Sequence, residues 1–269
     1  MARLKKGFFY SLSFSLIIAL VFGLSLIAFK NFNFSQERFN EILIFDRVYE
    51  LDKSIEQGFK DIFNLESGII INKGTNITFS EALSNKNSQN FSNALDDYKL
   101  FLESNFSVIL NIEDTKKRLP LIIIPNQITY YHENFGNSTI KVDAQTSNFA
   151  GFTVTVKTAE ILSSNSCAGS GVKQNVYIDL FASGSSGSCS YTARSHGIID
   201  LINSKGKAVA KIVVSDNDLD ISAMKQINVT TSIDNLENPE NMFITLPKGA
   251  LYLNFSEFNI VKNSTIIIL

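Results

Sequence analysis

The stretch FTVTVKTAEI, residues 152–161, alternates apolar and polar side chains over its first six positions. Phe152, Val154 and Val156 fall on one face of an extended chain, and the threonines and lysine between them fall on the other. Aromatic and β-branched residues of this kind are typical of strands. We therefore predict a half-buried β-strand here, with its apolar face toward a core.

Similar segments lie on both sides of this strand. The apolar runs 197–203 and 208–214 flank SKGK, which predicts a hairpin that turns near Gly206. Further strands are expected in TNITF (75–79), in LYLNFSEFNIV (251–261) and in STIIIL (264–269). The last of these we expect to pair within its own domain. Six or more short strands predict a predominantly antiparallel, sandwich-like head, with a helix over 93–104, capped by Ser92, packed on one side.

Composition agrees with a strand-rich domain and excludes one class of partner. The chain has 269 residues, of which 45% are hydrophobic, and it lacks tryptophan. Four of its 24 basic residues, Arg3, Lys5, Lys6 and Lys30, flank the apolar N-terminal segment, so 20 remain against 26 acidic residues. The portion after residue 30 thus carries a net charge of about −6. Because phosphate binding needs a concentrated basic face, we expect no nucleic-acid partner.

The N-terminal segment is the longest apolar run in the chain. From Gly7 to Phe29 there are 23 residues without a charged side chain, a helix of roughly 34 Å against a hydrocarbon core of ~30 Å. The basic residues before it place the N-terminus in the cytoplasm. This pattern predicts a single-pass membrane protein at the cell surface, with membrane lipid as a partner and the head outside.

A second helix is predicted directly after the apolar run. Apolar residues recur at steps of three and four, which makes one stripe on a helical surface. Gly68 is the expected stop. The stripe consists of Phe39, Ile42, Phe45, Val48, Leu51, Ile55, Phe59 and Ile62.

The apolar run also has the composition of a cleaved secretory signal, with RLKK as its basic start and LIIALVFGLSLIA as its core. No clear small-x-small site ends the run; GLS at 23–25 is the nearest, and cutting there would leave the hydrophobic stub LIAF. Cleavage and permanent anchoring therefore remain alternatives.

Lys5, Lys6 and Gly7, followed directly by FFYSLSFSLIIALVFGLSLIAF, resemble the class III signal of type IV pilins and related archaeal surface proteins. The resemblance implies leader cleavage between Gly7 and Phe8. It also implies assembly with copies of the chain, or with related pilin-like subunits, through residues 8–66. The sequence departs from the bacterial pattern at Leu12, where a glutamate is expected; archaeal members often lack that acid.

Together these observations predict an α+β fold with four segments. They are a basic leader (1–7), a transmembrane or shaft helix (8–29), an amphipathic stalk helix (30–67) and an extracellular β-rich head (68–269). The expected function is that of a non-enzymatic, pilin-like surface subunit without a cofactor. The alternative is a signal-anchored binding or adhesion domain that does not polymerise.

Two cysteines, Cys167 and Cys189, lie beyond the apolar segment, and outside the cell they are expected to form one disulfide. The loop between them carries a strand, VYIDLFA, and a flexible SGSSGS segment. N-glycosylation sequons, of which that at Asn33 lies too near the membrane for modification, support an exposed glycosylated surface. The other sequons are at Asn76, Asn90, Asn105, Asn137, Asn228, Asn254 and Asn263.

The sequence offers few residues for catalysis or metal binding. His132 and His196 are the only histidines, and we expect both on the surface or in turns. Ser195 neighbours His196, but adjacent residues of a strand point to opposite faces, so an extracellular hydrolase is a distant alternative. No metal site is expected beyond a weak calcium candidate with alternating carboxylates at Asp216, Asp218 and Asp220.

Overall fold

A computed structural model describes the backbone of residues 2–83, 88–135, 138–144, 149–170, 176–194 and 196–269. Within these residues the helices are α1 (Ala2–Glu66), α2 (Ser88–Phe106) and α3 (Glu113–Arg118). The strands are β1 (Ile70–Lys73), β2 (Ile77–Leu83), β3 (Val108–Asn111), β4 (Leu121–Ile124), β5 (Ile128–His132), β6 (Thr139–Ala144), β7 (Gly151–Thr158), β8 (Cys167–Ser170), β9 (Tyr177–Ser183), β10 (Ser188–Arg194), β11 (Gly197–Ile202), β12 (Ala208–Ser215), β13 (Asp218–Ala223), β14 (Ile227–Asp234), β15 (Phe243–Phe255) and β16 (Ile260–Ile267).

The strands form two sheets. The six-stranded sheet has the order β1-β2-β14-β7-β9-β10. The ten-stranded sheet has the order β16-β15-β4-β5-β6-β13-β12-β11-β8, and β3 also pairs with β15. Strands make up 45% of the chain and helices 32%. The predicted α+β class is therefore wrong, and the fold is predominantly β.

The expectation of a membrane span is also wrong. Across the described part of the chain, no helix is both long enough and apolar enough to cross a membrane. This finding overturns the predicted transmembrane segment and the single-pass localisation that rested on it.

The chain divides into two compact units, 1–55 and 56–269. The boundary lies inside the predicted stalk segment. In the second unit, the last turns of α1 bury Phe59 and Phe63 completely. The helix ends at Glu66, and Gly68 adopts a left-handed φ of +69°, a conformation that favours glycine. Gly68 is thus the stop that the sequence predicts.

The strand predicted first lies inside the six-stranded sheet as β7. Phe152, Val154 and Val156 are fully buried, as the alternation requires. Its neighbours are β14, which is antiparallel, and β9, which is parallel. The expected head was predominantly antiparallel, and the β7–β9 pair is a parallel exception. The chain leaves β7, forms β8 in the other sheet and then returns as β9, and such a crossover permits a parallel pair.

Other predicted elements agree with the structure to differing degrees. The hairpin β11–β12 is confirmed, with Gly206 at φ +72° in its turn. The C-terminal strand β16 pairs with β15 within the same sheet, as expected, and lies at the edge of the strand order. The helix predicted over 93–104 is α2, which begins earlier, at Ser88, so Ser92 lies within the helix and does not cap it.

The two sheets contact each other through aromatic and covalent links. Phe79 of β2 stacks on Tyr130 of β5, with ring centroids 4.2 Å apart. The predicted disulfide is confirmed, with Cys167 in β8 joined to Cys189 in β10. Since β8 and β10 are the last strands of their sheets, the bond connects two sheet edges.

Candidate functional site

The largest unexplained surface feature of the first unit is a run of exposed apolar side chains on α1. We call it the apolar helix segment, residues 18–45. Between Ile18 and Phe29 the large apolar side chains that are described are 53% to 65% exposed. The exposed residues of the segment are Ile18, Leu20, Val21, Phe22, Leu24, Leu26, Ile27, Phe29, Phe32, Phe34, Phe39, Ile42, Leu43 and Phe45.

This segment exceeds what a monomer normally exposes. All 14 side chains are at least half exposed, so their combined apolar surface is on the order of 1,000 Å², spread around the helix. A typical soluble monomer has a largest apolar patch of about 300–600 Å², and larger patches mark interaction sites. The interaction available to an apolar surface of this extent is association with another apolar surface.

The proposed leader junction lies in the same helix. Gly7 and Phe8 belong to the backbone of α1, and their side chains are outside the described part. Cleavage between them stays a prediction.

A buried polar cluster joins the two sheets, and sequence reasoning missed it. The Tyr130 hydroxyl donates a hydrogen bond to Glu81 Oε1. The other carboxylate oxygen, Oε2, lies 3.2 Å from His132 Nε2. Glu81 comes from β2, whereas Tyr130 and His132 lie two residues apart on β5 and so share its inner face.

His132 is therefore not the surface histidine that was expected, since it is only 1% exposed. Its ring is edge-on to Phe135 at 5.1 Å. Among the described residues neither ring nitrogen completes an aligned hydrogen bond, so the approach to Glu81 is a charge contact that forms when the imidazole is protonated. The alternation of ITYYH could have revealed this, because it places His132 on the same face as two apolar positions.

Electrostatics in the cluster favour a neutral phenol. Burial, followed by the charge of Glu81 and the hydrogen bond to it, raises the pKa of Tyr130 well above its ordinary value. The arrangement holds one carboxylate between a hydroxyl donor and an imidazole in a dry interior. Glu81 also lines a cleft of about 350 Å³ together with Ser80, Thr230 and Lys157, so one member of this polar network borders the surface.

The second histidine is on the surface, as expected. His196 Nε2 lies 2.9 Å from Asp216 Oδ1, and both side chains are substantially exposed. Ser195 lies outside the described residues, so its relation to His196 stays untested. The visible contact is a surface ion pair, which contributes little to stability.

The three aspartates of the calcium candidate do not converge. Asp216 faces His196, and Asp218 Oδ1 accepts a hydrogen bond from the Ala144 backbone at 3.3 Å. Burial raises the pKa of Asp218, and the backbone hydrogen bond opposes this. Within the described ranges no three His, Cys, Asp or Glu side chains are grouped to hold a metal ion.

Asp220 lies in a different polar environment on the outer side of β13. Burial is the largest cause that raises the pKa of its carboxyl, and the charges of Asp143 and Glu133 add to it. Lys141, which forms an ion pair of 2.9 Å with Glu133, opposes the shift.

Asn76 is part of an internal hydrogen-bond network. Its Nδ2 donates to Asp234 Oδ1 at 2.9 Å. The buried Asp234 also accepts hydrogen bonds from Ser232, Thr153 and Tyr177. The side-chain amide that a glycan would modify therefore already forms a hydrogen bond that links the start of β2 to the end of β14.

The remaining sequons differ in accessibility. Asn137 lies outside the described residues, and Asn254 is half-buried within β15. The exposed asparagines are Asn33, Asn90, Asn105, Asn228 and Asn263. Modification of Asn90, Asn105, Asn228 and Asn263 remains a prediction, and Asn33 was not expected to be modified.

No protein-family model matches this chain, and neither a curated protein nor a solved structure is similar to it.

Proposed function

We propose that this chain is a non-enzymatic structural subunit that self-associates through its apolar helix segment and displays a disulfide-linked, sandwich-like β unit. The observation that carries the proposal is the exposed apolar surface between Ile18 and Phe45. Leaving such a surface in water is unfavourable at roughly 25 cal/mol per Å². Association with an apolar partner removes that cost.

A second copy of the chain fits this surface in chemistry and size. The stretch from Ile18 to Phe29 carries no charge, so like copies meet without repulsion. The exposed side chains surround the helix, so more than one copy can pack against it, and a standard interface takes ~800 Å² from each partner. Helices with exposed apolar stripes pack against one another by interdigitating side chains.

The resemblance of KKGFF to a class III signal supports the same role. In this proposal Gly7–Phe8 is the cleavage point, and mature copies, or related pilin-like subunits, pack along residues 8–66. The exposed sequon asparagines would carry glycans on the outside of the assembly. Because Cys167 and Cys189 are bonded, an oxidising environment outside the cytoplasm suits the β unit.

Sedimentation velocity of the full chain, with negative-stain microscopy of the same samples, tests the proposal. We compare the wild type with a Phe22→Ser, Leu26→Ser variant of α1. The matched control is Met224→Ser with Phe243→Ser, since both residues are about half exposed in the second unit.

We expect wild type and control to form oligomers or filaments. The α1 variant should associate at least about 30-fold more weakly, which corresponds to roughly 2 kcal/mol. A wild type that stays monomeric at micromolar concentration, or an α1 variant that associates as tightly as the control, would contradict self-association through this helix.

A further inference from the structure

A row of hydroxyl side chains crosses the outer face of the six-stranded sheet. In the strand register Ser80 faces Thr230, Thr230 faces Thr155, and Thr155 faces Phe181. Phe181 in turn faces Ser190. Five adjacent strands thus place four hydroxyls and one phenyl ring in a line of about 19 Å at ~4.8 Å per strand. We call this line the hydroxyl row.

The row faces outward. Its neighbours along each strand, such as Val154, Val156 and Leu180, are buried, and alternate residues of a strand lie on opposite faces. Phe181 is 50% exposed, although it is a large apolar side chain on a strand. Ser80 and Thr230 are joined by a hydrogen bond of 2.8 Å between their hydroxyl oxygens.

Two clefts lie over the row and share Thr155. One, of about 460 Å³, is lined by Phe181 and by the serines at 164, 183, 188 and 190. The other, of about 350 Å³, is lined by Ser80, Thr230, Asn228 and Ile70 and by two charged side chains, Glu81 and Lys157. We call the two clefts together the groove.

The rim of the first cleft is held rigidly. The turn at 183–188 is docked on the segment after β7, since the Leu162 amide donates to the Ser186 carbonyl at 2.9 Å and the Ser185 amide to the Glu160 carbonyl at 3.0 Å. The expectation of a flexible SGSSGS segment therefore does not fit. Cys189, bonded to Cys167, lies between two of the lining serines.

We propose that this groove binds a neutral saccharide chain. A sugar ring has a face of C–H groups, which packs on an exposed aromatic ring, and a rim of hydroxyls, which exchange hydrogen bonds with serine and threonine. The hydroxyl row contains both partners in one line and carries no charge. The lining of the two clefts adds one cation, Lys157, and one carboxylate, Glu81. The groove therefore has no net charge, which favours an uncharged glycan over phosphate or a uronic acid polymer.

Binding of neutral oligosaccharides to the full chain tests this inference. The protein is produced without N-glycans and kept in a detergent that lacks a sugar headgroup, so that neither source of sugar occupies the groove. The probes are hexasaccharides of glucose, mannose and N-acetylglucosamine, with hexagalacturonate as the anionic comparison, and the readout is isothermal titration calorimetry.

Three variants assign the site. Phe181→Ala removes the stacking ring, Thr155→Val replaces one hydroxyl with a methyl of the same shape, and Phe243→Ala truncates an equally exposed phenylalanine of the other sheet. We expect millimolar or tighter binding of at least one neutral probe, weakened at least about tenfold, or 1.4 kcal/mol, by Phe181→Ala and several-fold by Thr155→Val. Phe243→Ala should bind as the wild type does.

The inference is overturned if none of the neutral probes binds, if hexagalacturonate binds as tightly as they do, or if Phe181→Ala and Thr155→Val leave binding unchanged. Thermal unfolding of each variant checks that its fold is intact, and Thr155→Val keeps the test decisive should Phe181→Ala fail to fold. Since these residues lie outside α1, failure here leaves the proposed self-association unaffected.

Discussion

Glu81 is a carboxylate with a 7% exposed side chain, and it is placed between the Tyr130 hydroxyl and the His132 ring. Burying a carboxylate is costly unless hydrogen bonds replace its water. The hydroxyl of Tyr130 supplies such a bond, and the stacked ring of Phe79 covers it on one side. At the residue scale, burial of the Glu81 carboxylate between the two sheets therefore depends on the hydroxyl of Tyr130.

Tyr130→Phe should destabilise the protein by about 1–3 kcal/mol, because it leaves a buried acceptor unsatisfied. Chemical denaturation of wild type and variant measures this loss. Tyr131→Phe is the matched control: it removes the hydroxyl that hydrogen-bonds Asp143 on the half-buried outer face of β5, where water can replace the lost bond. Equal losses in the two variants would show that the Glu81 contact is unimportant.

Asp220→Asn should raise the melting temperature at pH 7 by about 1–2 °C. The pKa of Asp220 is raised from 3.8 in the folded protein, so the folded state holds this proton more tightly than the unfolded state. The contribution of Asp220 to the free energy of unfolding therefore falls as the pH rises from about 3.8 through the pKa that this carboxyl has in the folded state. The variant removes that loss.

At pH 3, where Asp220 is protonated in both states, variant and wild type should melt together. The exposed Asp200, changed to asparagine, serves as the control for a charge change elsewhere. A lower melting temperature of Asp220→Asn at pH 7 would mean that the attraction of Lys141 exceeds the cost of burial.

At the element scale, the β9–β10 turn and the β11–β12 turn each contain a glycine with a left-handed backbone. Gly187 has φ +80°, and a Cβ atom there would lie 2.1 Å from the Leu162 carbonyl oxygen. Gly206, in the β11–β12 turn, has φ +72° but open space around it. The two positions therefore share a backbone conformation and differ in packing.

Gly206→Ala should cost about 1 kcal/mol, for the left-handed backbone alone. Gly187→Ala should cost clearly more, about 3 kcal/mol, because the docked segment must also move. Urea unfolding of both variants measures the difference. Similar losses at both glycines would indicate that the docked turn yields without strain.

The disulfide is the second link at the element scale. A double variant, Cys167→Ser with Cys189→Ser, should lose about 3 kcal/mol of stability, as the chain-entropy relation gives for a separation of 22 residues. Reduction of the wild type should reproduce the loss. A double variant as stable as the oxidised wild type would show that the sheet edges are held by other contacts.

The local sequence pattern was enough to predict β7 and the β11–β12 hairpin. A half-buried strand shows alternating apolar and polar residues, and the hairpin turn shows a glycine. The parallel pairing of β7 with β9 was not predicted, since it depends on the path of the chain through β8. The polar cluster was missed for a similar reason, because Glu81 and Tyr130 are 49 residues apart and nothing local indicates that they meet.

At the scale of the whole molecule, two units carry different chemistry. Unit 1–55 exposes the apolar helix segment, whereas unit 56–269 buries its apolar residues between two sheets and presents a hydroxyl row. The apolar character of residues 7–29 was plain in the sequence, but its assignment to a membrane was wrong. Hydrophobic periodicity predicts a helix and shows which of its faces are apolar. It does not identify the lipid or protein surface that covers those faces.

Cysteine cross-linking along α1 tests the central claim, self-association through this helix, most directly. Both native cysteines are bonded to each other, so an introduced cysteine is the one free thiol in the chain. Phe22→Cys, Leu26→Cys and Phe29→Cys are compared with Lys205→Cys, an exposed position in the β11–β12 turn, under mild oxidation of the full chain. The account predicts covalent dimers at the α1 positions and few at Lys205; equal yields at all four positions, or none on α1, would contradict it.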